Sequence, residues 1–251
     1  MKFLIISDIH ANWPALQAVL NAESDIRDIL CLGDLVDYGP QPLRCVEWAI
    51  NNISLRHLVQ GNHDWAVAWD KDPRCSAPYR RLARVTQAHC LHMASRGLRR
   101  FLAELSPERN LTIDGASCVA CHAVPSQPRF RYLAVDREVK KWLNEADIAG
   151  HPDFLFVGHT HVPRKLQLGK TLVVNPGSVG QPKDGDPRAA YAVWEDGVVS
   201  LRRAAYDVEE TVRAYGTPPF FPEDVTSLAE VLRTGGNLPN ETAAGGNLMK
   251  I

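Results

Sequence analysis

Five short apolar runs in this chain each stop at a cluster of histidine, aspartate or asparagine, and that recurrence limits the fold more than any other feature. Residues 2–7 end at Asp8-Ile9-His10, residues 29–32 at Gly33-Asp34-Leu35-Val36-Asp37, and residues 55–59 at Gly61-Asn62-His63-Asp64. Further on, residues 118–121 end at His122 and residues 154–157 at Gly158-His159-Thr160-His161. Runs this short, rich in β-branched and other apolar residues, read as buried strands. Helix signals lie between them. Pro14 opens a helix with Leu16, Val19 and Leu20 on one stripe, and Pro42 opens another with Leu43, Val46 and Ile50 facing inward. Strands alternating with helices imply a largely parallel α/β sheet, whose ligand crevice lies beyond the carboxyl ends of the strands. The polar clusters are therefore collected along one edge.

Residues 65–108 break this rhythm. They are helical and arginine-rich, with Tyr79, Leu82, Val85 and His89 at helical spacing and a second amphipathic piece around 96–105. We read them as a helical cap inserted beside the site, with His89 and His92 as helix residues outside the ligand set. Strands at 111–113 and 118–121 are joined by the hairpin signal Asp114-Gly115. Asp136 is placed to cap a helix carrying Val139, Trp142 and Leu143 on one face. A strand at 171–174 leads into Asn175-Pro176-Gly177-Ser178, and 189–194 with 198–203 form a closing hairpin around Asp196-Gly197. The closing hairpin ends before residue 205, and 206–251 follow it as a C-terminal extension. From Thr234 onward the composition is rich in Gly, Asn and Ala, as in a mobile tail.

Composition excludes several classes. With 45% hydrophobic residues in 251, the chain has the material for a large core. Its 28 basic and 29 acidic residues leave a net charge of -1, so charge indicates neither a nucleic-acid surface nor a membrane surface. No stretch approaches the ~18 apolar residues of a membrane helix, and the opening run is too short for a signal-peptide core, which together point to the cytoplasm. The six cysteines are too scattered for a disulfide framework. Cys118 and Cys121 have the C-x-x-C form, but on a strand their side chains leave on opposite faces, against a redox or zinc pair.

The strand-end residues Asp8, His10, Asp34, Asn62, His122, His159 and His161 form a mixed oxygen and nitrogen set. Such a set suits Mn²⁺, Fe²⁺, Ni²⁺ or Zn²⁺ better than Mg²⁺ or Ca²⁺, which favour all-oxygen shells. It is too large for one tetrahedral zinc and suits two divalent ions sharing a carboxylate. Five of the nine histidines (His10, His63, His122, His159 and His161) directly follow strands, a placement that core packing does not explain.

In order and content these motifs resemble the calcineurin-like metallophosphoesterases, over about residues 1–205. The Gly158-His159-Thr160-His161 stretch followed by Asn175-Pro176-Gly177-Ser178 looks most like the small bacterial phosphodiesterase branch. The resemblance implies a four-layer α/β/β/α sandwich and two divalent ions, manganese foremost. Asp8, His10, Asp34 and His161 would hold one ion and Asp34, Asn62, His122 and His159 the other, with Asp34 the bridge. It implies hydrolysis of small phosphate esters, nucleotides among them, by a metal-bridging hydroxide. It also makes His63 the acid that protonates the leaving group and Asp37 its partner. Read from the residues alone, the less favoured alternative for Asp37 is a turn residue bonding its own backbone.

One departure stands out. The protein Ser/Thr phosphatases of this superfamily carry an arginine immediately after the aspartate that matches Asp37, where it clamps the phosphate, and this chain has Tyr38. The change weakens a phosphoprotein-phosphatase reading and favours diesters over monoesters. Arg129 and Arg131 are candidate replacement cations or else solvated loop residues. Asn62 is also a candidate substrate contact, and Gly177 could offer its backbone N–H to a phosphate. A non-catalytic scaffold, as in the retromer coat, would have no need of the whole ligand set.

Overall fold

The computed structural model describes residues 1–135, 138–216 and 220–236. The chain opens with β1 (Lys2–Ile6), α1 (Trp13–Ala22), β2 (Asp28–Cys31) and α2 (Pro42–Asn52). Three helices follow, α3 (Asn62–Trp69), α4 (Arg80–Met93) and α5 (Arg96–Glu104), then the hairpin β3 (Glu108–Ile113) and β4 (Ala116–Cys121). After α6 (Val139–Ile148) come β5 (Phe154–Phe156), β6 (Arg164–Leu168), β7 (Thr171–Asn175), β8 (Ala189–Glu195) and β9 (Val198–Ala204). Helices α7 (Val208–Ala214) and α8 (Pro222–Thr234) close the described chain.

The strands form two sheets, ordered β2-β1-β8-β9 and β3-β4-β5-β7-β6. In each, two strands that carry site residues pair in parallel: β1 with β2, and β4 with β5. Alternation along β1 shows how the sheets are covered. Phe3 and Ile5 face the second sheet, packing with Leu30, Cys118, Ala120, Phe156, Val174 and Trp194. Leu4 and Ile6 face the other way, toward Leu16 and Val19 of α1, Val46 of α2 and Leu102 of α5. The outer face of the second sheet is covered by Trp142 and Ala146 of α6, which meet Val119, Cys121 and Leu155. The result is the four-layer α/β/β/α sandwich. Cys118 and Cys121 fall in the cores on opposite faces of β4, and all six cysteines are free. No helix among the described residues is long and apolar enough to cross a membrane.

Several expectations need correction. Residues 55–59 do not form a strand: Leu55–His57 is a 3-10 turn closed by the His57 N–H to the Ser54 carbonyl at 2.8 Å. Only single bridges remain, Leu58 to Cys31 and Val59 to Ser106, because this local bond takes up backbone that a ladder would need. On α2 the inward stripe is Pro42, Cys45, Val46 and Ala49, whose small side chains suit close approach to the sheet, while Ile50 is exposed. On α6 Trp142, Glu145 and Ala146 are buried, whereas Val139 and Leu143 point outward. The position before that helix is Glu138, and Asp136 lies outside the described residues. On α4 the buried set is Leu82, Ala83, Thr86, Gln87 and Cys90, and His89 instead reaches the Pro40 carbonyl at 3.1 Å. Strand β6 has no counterpart in the pattern reading, its Arg-Lys-Leu-Gln-Leu sequence being that of a solvated edge. Beyond residue 205 the described chain is helical, and Leu228, Val231 and Leu232 of α8 pack with Leu82 and Ala83 of α4 and with Tyr38. Of the expected mobile tail, the residues beyond 236 lie outside the described ones.

Gly33 and Gly61 set how closely the loops after β2 and before α3 approach. Gly33 has φ +92°, and a Cβ on it would lie 2.5 Å from the Gly61 nitrogen. Gly33→Ala is therefore expected to destabilise the protein by at least about 1–3 kcal/mol, from a disfavoured backbone plus overlap. Thermal denaturation checks this, and an unchanged melting temperature would contradict it.

Candidate metal centre

Two compact groups of side chains occupy the edge at which β1, β2, β4 and β5 end. Asp8, His10 and His161 place their ligand atoms within 4.8 Å of one another, and so do Asp34, His122 and His159. The groups adjoin: Asp34 Oδ2 is 3.1 Å from His122 Nε2 and 3.7 Å from His10 Nε2. Asp8 Oδ1 is 3.3 Å from His161 Nε2 and 4.0 Å from His122 Nε2. Asn62 joins the second group through its Oδ1, 3.0 Å from His122 Nε2. All seven expected ligands are thus brought together.

The backbone here is unusual. Asp8, His10, Asp34, Asp37, Tyr38, His159 and His161 all have φ between +46° and +65°, the left-handed region that non-glycine residues seldom enter. Each such residue costs of order 1–3 kcal/mol, and clusters of them mark functional sites. The surrounding hydrogen bonds hold these turns. The Asp64 carboxylate accepts from the N–H groups of Asp34 at 2.8 Å, Leu35 at 2.8 Å and Gly61 at 3.0 Å. Asn175 donates to the Gly158 carbonyl at 2.7 Å and to Thr160 Oγ1 at 3.0 Å, fixing the turn that carries His159 and His161. Ser178 Oγ donates to the Asp8 carbonyl at 2.7 Å.

The tautomers follow from the partners. His10 Nδ1 lies 2.9 Å from the Val36 carbonyl, His122 Nδ1 2.7 Å from that of Leu32, and His161 Nδ1 2.6 Å from that of Gln181. A carbonyl only accepts, so each Nδ1 carries its proton and each Nε2 turns inward, as in histidines that bind metals. His10 Nε2 and His161 Nε2 then face each other at 3.2 Å as two acceptors. The buried Asp8 Oδ1 and Asp34 Oδ2 have no hydrogen-bond donor either. Converging acceptors without donors call for cations, and the donor set fits divalent ions of the manganese-to-zinc series. With no ion in place, burial opposes charging His122, yet Asp34 outweighs it and pushes the imidazole up to about 9, so a proton on Nε2 competes for the place a cation would take. His159, half-buried and partly desolvated beside His122, is held down at about 3.

His63 sits beside this cluster without joining it. Its Nδ1 lies 2.8 Å from Asp37 Oδ2, and its backbone N–H donates to Asp34 Oδ1 at 2.9 Å. Burial lowers its affinity for a proton, but Asp34 and Asp37 outweigh burial and raise it. Tyr38 packs its ring against both His10 and His63, with centroids 4.8 and 4.9 Å apart.

The candidate substrate residues fare differently. Asn62 belongs to the cluster, its side-chain amide fixed by donating to the Pro73 carbonyl at 2.8 Å. Arg129 donates to Gln60 Oε1 at 2.6 Å, and Arg131 pairs with the buried Glu145 at 2.6 Å. Those bonds engage the Nε of Arg129 and one Nη of Arg131. The Gly177 N–H is spent on Asn175 Oδ1 at 2.8 Å, so it is not offered to a phosphate. The pattern reading missed Asp64, Asn175 and Ser178 as turn-holding residues. Asp64 and Asn175 do lie inside the polar clusters, which is the one signal that could have exposed them.

A four-layer α/β/β/α sandwich with carboxylates and imidazoles gathered at one edge is the architecture of the metallophosphoesterases. Residues 1–196 match the calcineurin-like phosphoesterase superfamily domain, and the chain belongs to that superfamily. A metallophosphoesterase from Sphaerobacter thermophilus, known from its crystal structure, is 34% identical and has a TM-score of 0.73, with 91% of this chain and 99% of that one covered. An uncharacterized protein of Methanocaldococcus jannaschii is 32% identical over 226 residues, 82% of this chain and 88% of its own. Phosphodiesterase YfcE of Escherichia coli is 27% identical over 212 residues, 80% of this chain and 91% of that enzyme.

Proposed function

We propose that the protein is a cytoplasmic phosphodiesterase that hydrolyses small phosphate diesters, nucleotide esters among them, with two divalent ions, manganese foremost. The observation that carries this reading is the pair of adjoining ligand groups with Asp34 between them. Asp8, His10, His161 and Asp34 would hold one ion, and Asp34, Asn62, His122 and His159 the other. When bound, the ions supply an activated water and positive charge facing the phosphoryl oxygens. The protein's own groups do the rest. Asp37 orients the His63 ring and favours its protonated form, and His63 delivers that proton to the departing ester oxygen as the bond to phosphorus breaks. The left-handed turns hold the ligand atoms in place before any ion arrives, so little reorganisation accompanies the reaction.

Preference for a diester is supported by Tyr38, whose buried ring stands immediately after Asp37 in place of an arginine. An organic substituent on the phosphate also has apolar surface to meet. Tyr132 lies 5.7 Å from the His159 ring, and Trp65 and Phe130 pack edge to face at 5.2 Å. The manganese-loaded protein is expected to hydrolyse bis-p-nitrophenyl phosphate with higher kcat/KM than p-nitrophenyl phosphate. The opposite ranking would assign it to the monoesterases.

A further inference from the structure

Lys183 stands at the rim of the site, and among the described residues its ammonium group makes no ion pair and no hydrogen bond, although Asp8 and Asp34 lie close enough to act on its charge. Its Nζ sits 4.2 Å from the ring centroid of Tyr79 and 5.7 Å from that of Tyr38. Those two ring faces are its contacts; among the described residues no carboxylate or carbonyl accepts from the ammonium group. Tyr38 is the same ring that packs on His10 and His63, so the cation stands over the wall shared by the first ligand group and the acid. The side chain is half-buried.

Its position is rigidly set. The segment 178–183 runs along the loop after β1, with the Val179 N–H on the Ser7 carbonyl at 3.0 Å and the Gly180 N–H on the Asp8 carbonyl at 3.0 Å. Gln181 holds His161 through its carbonyl, and the Lys183 N–H donates to the His161 carbonyl at 3.3 Å. The carboxylates that could neutralise Lys183 from its own loop are engaged elsewhere: Asp184 pairs with Arg203, and Asp186 with Arg188 at 2.7 Å. A partly desolvated ammonium with three donors and no acceptor is costly unless an anion completes it. Cation–π contact with the tyrosines offsets part of that cost and leaves the N–H groups free.

We infer that Lys183 is the phosphate clamp of this enzyme, its Nζ donating to a non-bridging oxygen of the substrate phosphoryl group from above Tyr38 and Tyr79. It occupies the role for which Arg129 and Arg131 were the sequence candidates, and those two arginines are tied to Gln60 and Glu145. A lysine gives a single point charge where an arginine gives a bidentate fork. That difference suits a diester, with its single negative charge, better than a dianionic monoester.

The inference rests on the phosphoesterase reading, and its test separates the two. In the manganese-loaded protein, Lys183→Met keeps the stem against both tyrosines and removes only the charge. It is expected to weaken inorganic phosphate binding, measured by calorimetry, by on the order of tenfold. KM for bis-p-nitrophenyl phosphate should rise in step, with metal content unchanged and Lys183→Arg restoring most of the affinity. Wild-type phosphate affinity in Lys183→Met would overturn the clamp while leaving the phosphoesterase reading intact. Absence of metal or of hydrolysis in the wild type would remove both. Should Lys183→Met fold poorly, trace acetylation of the wild-type holoenzyme decides: phosphate should protect Lys183 from acetic anhydride, and unprotected labelling refutes the contact.

Discussion

Asp34→Asn is expected to remove essentially all phosphodiester hydrolysis, a loss of roughly 10³-fold or more in kcat/KM. Asp34 lies within reach of both ligand groups, its Oδ2 3.1 Å from His122 and 3.7 Å from His10, while its Oδ1 accepts from the His63 N–H at 2.9 Å. The amide keeps the shape but removes the negative charge, and its NH2 points a donor where a ligand is needed. Elemental analysis of the variant should show fewer than the wild-type complement of ions per chain. Robust turnover of bis-p-nitrophenyl phosphate by Asp34→Asn would falsify the bridging assignment.

His63→Ala is expected to discriminate between leaving groups. An alkoxide must be protonated as it departs, so loss of the acid should cost ~10²–10⁴-fold on a diester with an alkyl leaving group. p-Nitrophenolate, with a pKa near ~7, departs unprotonated, and the same variant should lose less than about tenfold on it. The pH dependence has a definite sign. Asp34 and Asp37 raise the His63 pKa against the effect of burial, so the acid form persists above the ordinary histidine range. Alkyl-ester hydrolysis should then fall as pH rises through that raised pKa, and the fall should be absent in His63→Ala. Equal losses on both esters would remove the acid role and leave His63 as a packing residue.

Much of this site was legible in the sequence because its chemistry is carried by residue types that core packing does not call for. A histidine after an apolar run is conspicuous, and His122 and His159 could be placed without knowing what lay beside them. Pairing across the chain was less accessible. That Asp34 reaches His122, or that His161 meets Asp8 and His10, depends on the two sheets stacking, and no local pattern encodes that. The partners of the candidate arginines were hidden for a similar reason. Arg129 and Arg131 looked available because the residues that engage them, Gln60 and Glu145, are remote in sequence or buried on another element. Lys183 was invisible because its significance lies in what its neighbours do: Asp184 and Asp186 turn to arginines and leave it alone. In the fold, short apolar runs identified the buried strands apart from 55–59, while Ile50, Val139 and Leu143 show the limit of periodicity. An apolar residue at the right helical phase stays exposed when smaller neighbours take the contact, as Cys45 and Ala49 do on α2.

Each ligand group draws on both sheets. Asp8 and His10 follow β1 of the first sheet, and their companion His161 follows β5 of the second; Asp34 follows β2, whereas His122 and His159 follow β4 and β5. On the proposed reading, an ion held by either group would be a rivet through the seam between the sheets as well as a reagent. Sliding or parting the layers that enclose Phe156 and Trp194 would tear a coordination sphere, so metal supply and the opening of the central core become linked equilibria. At a free ion concentration a hundred times its dissociation constant, one such rivet is worth about 2.7 kcal/mol to the closed state. The slowest-exchanging amides of β1 and β4 then serve as a gauge of how much metal the protein's surroundings provide.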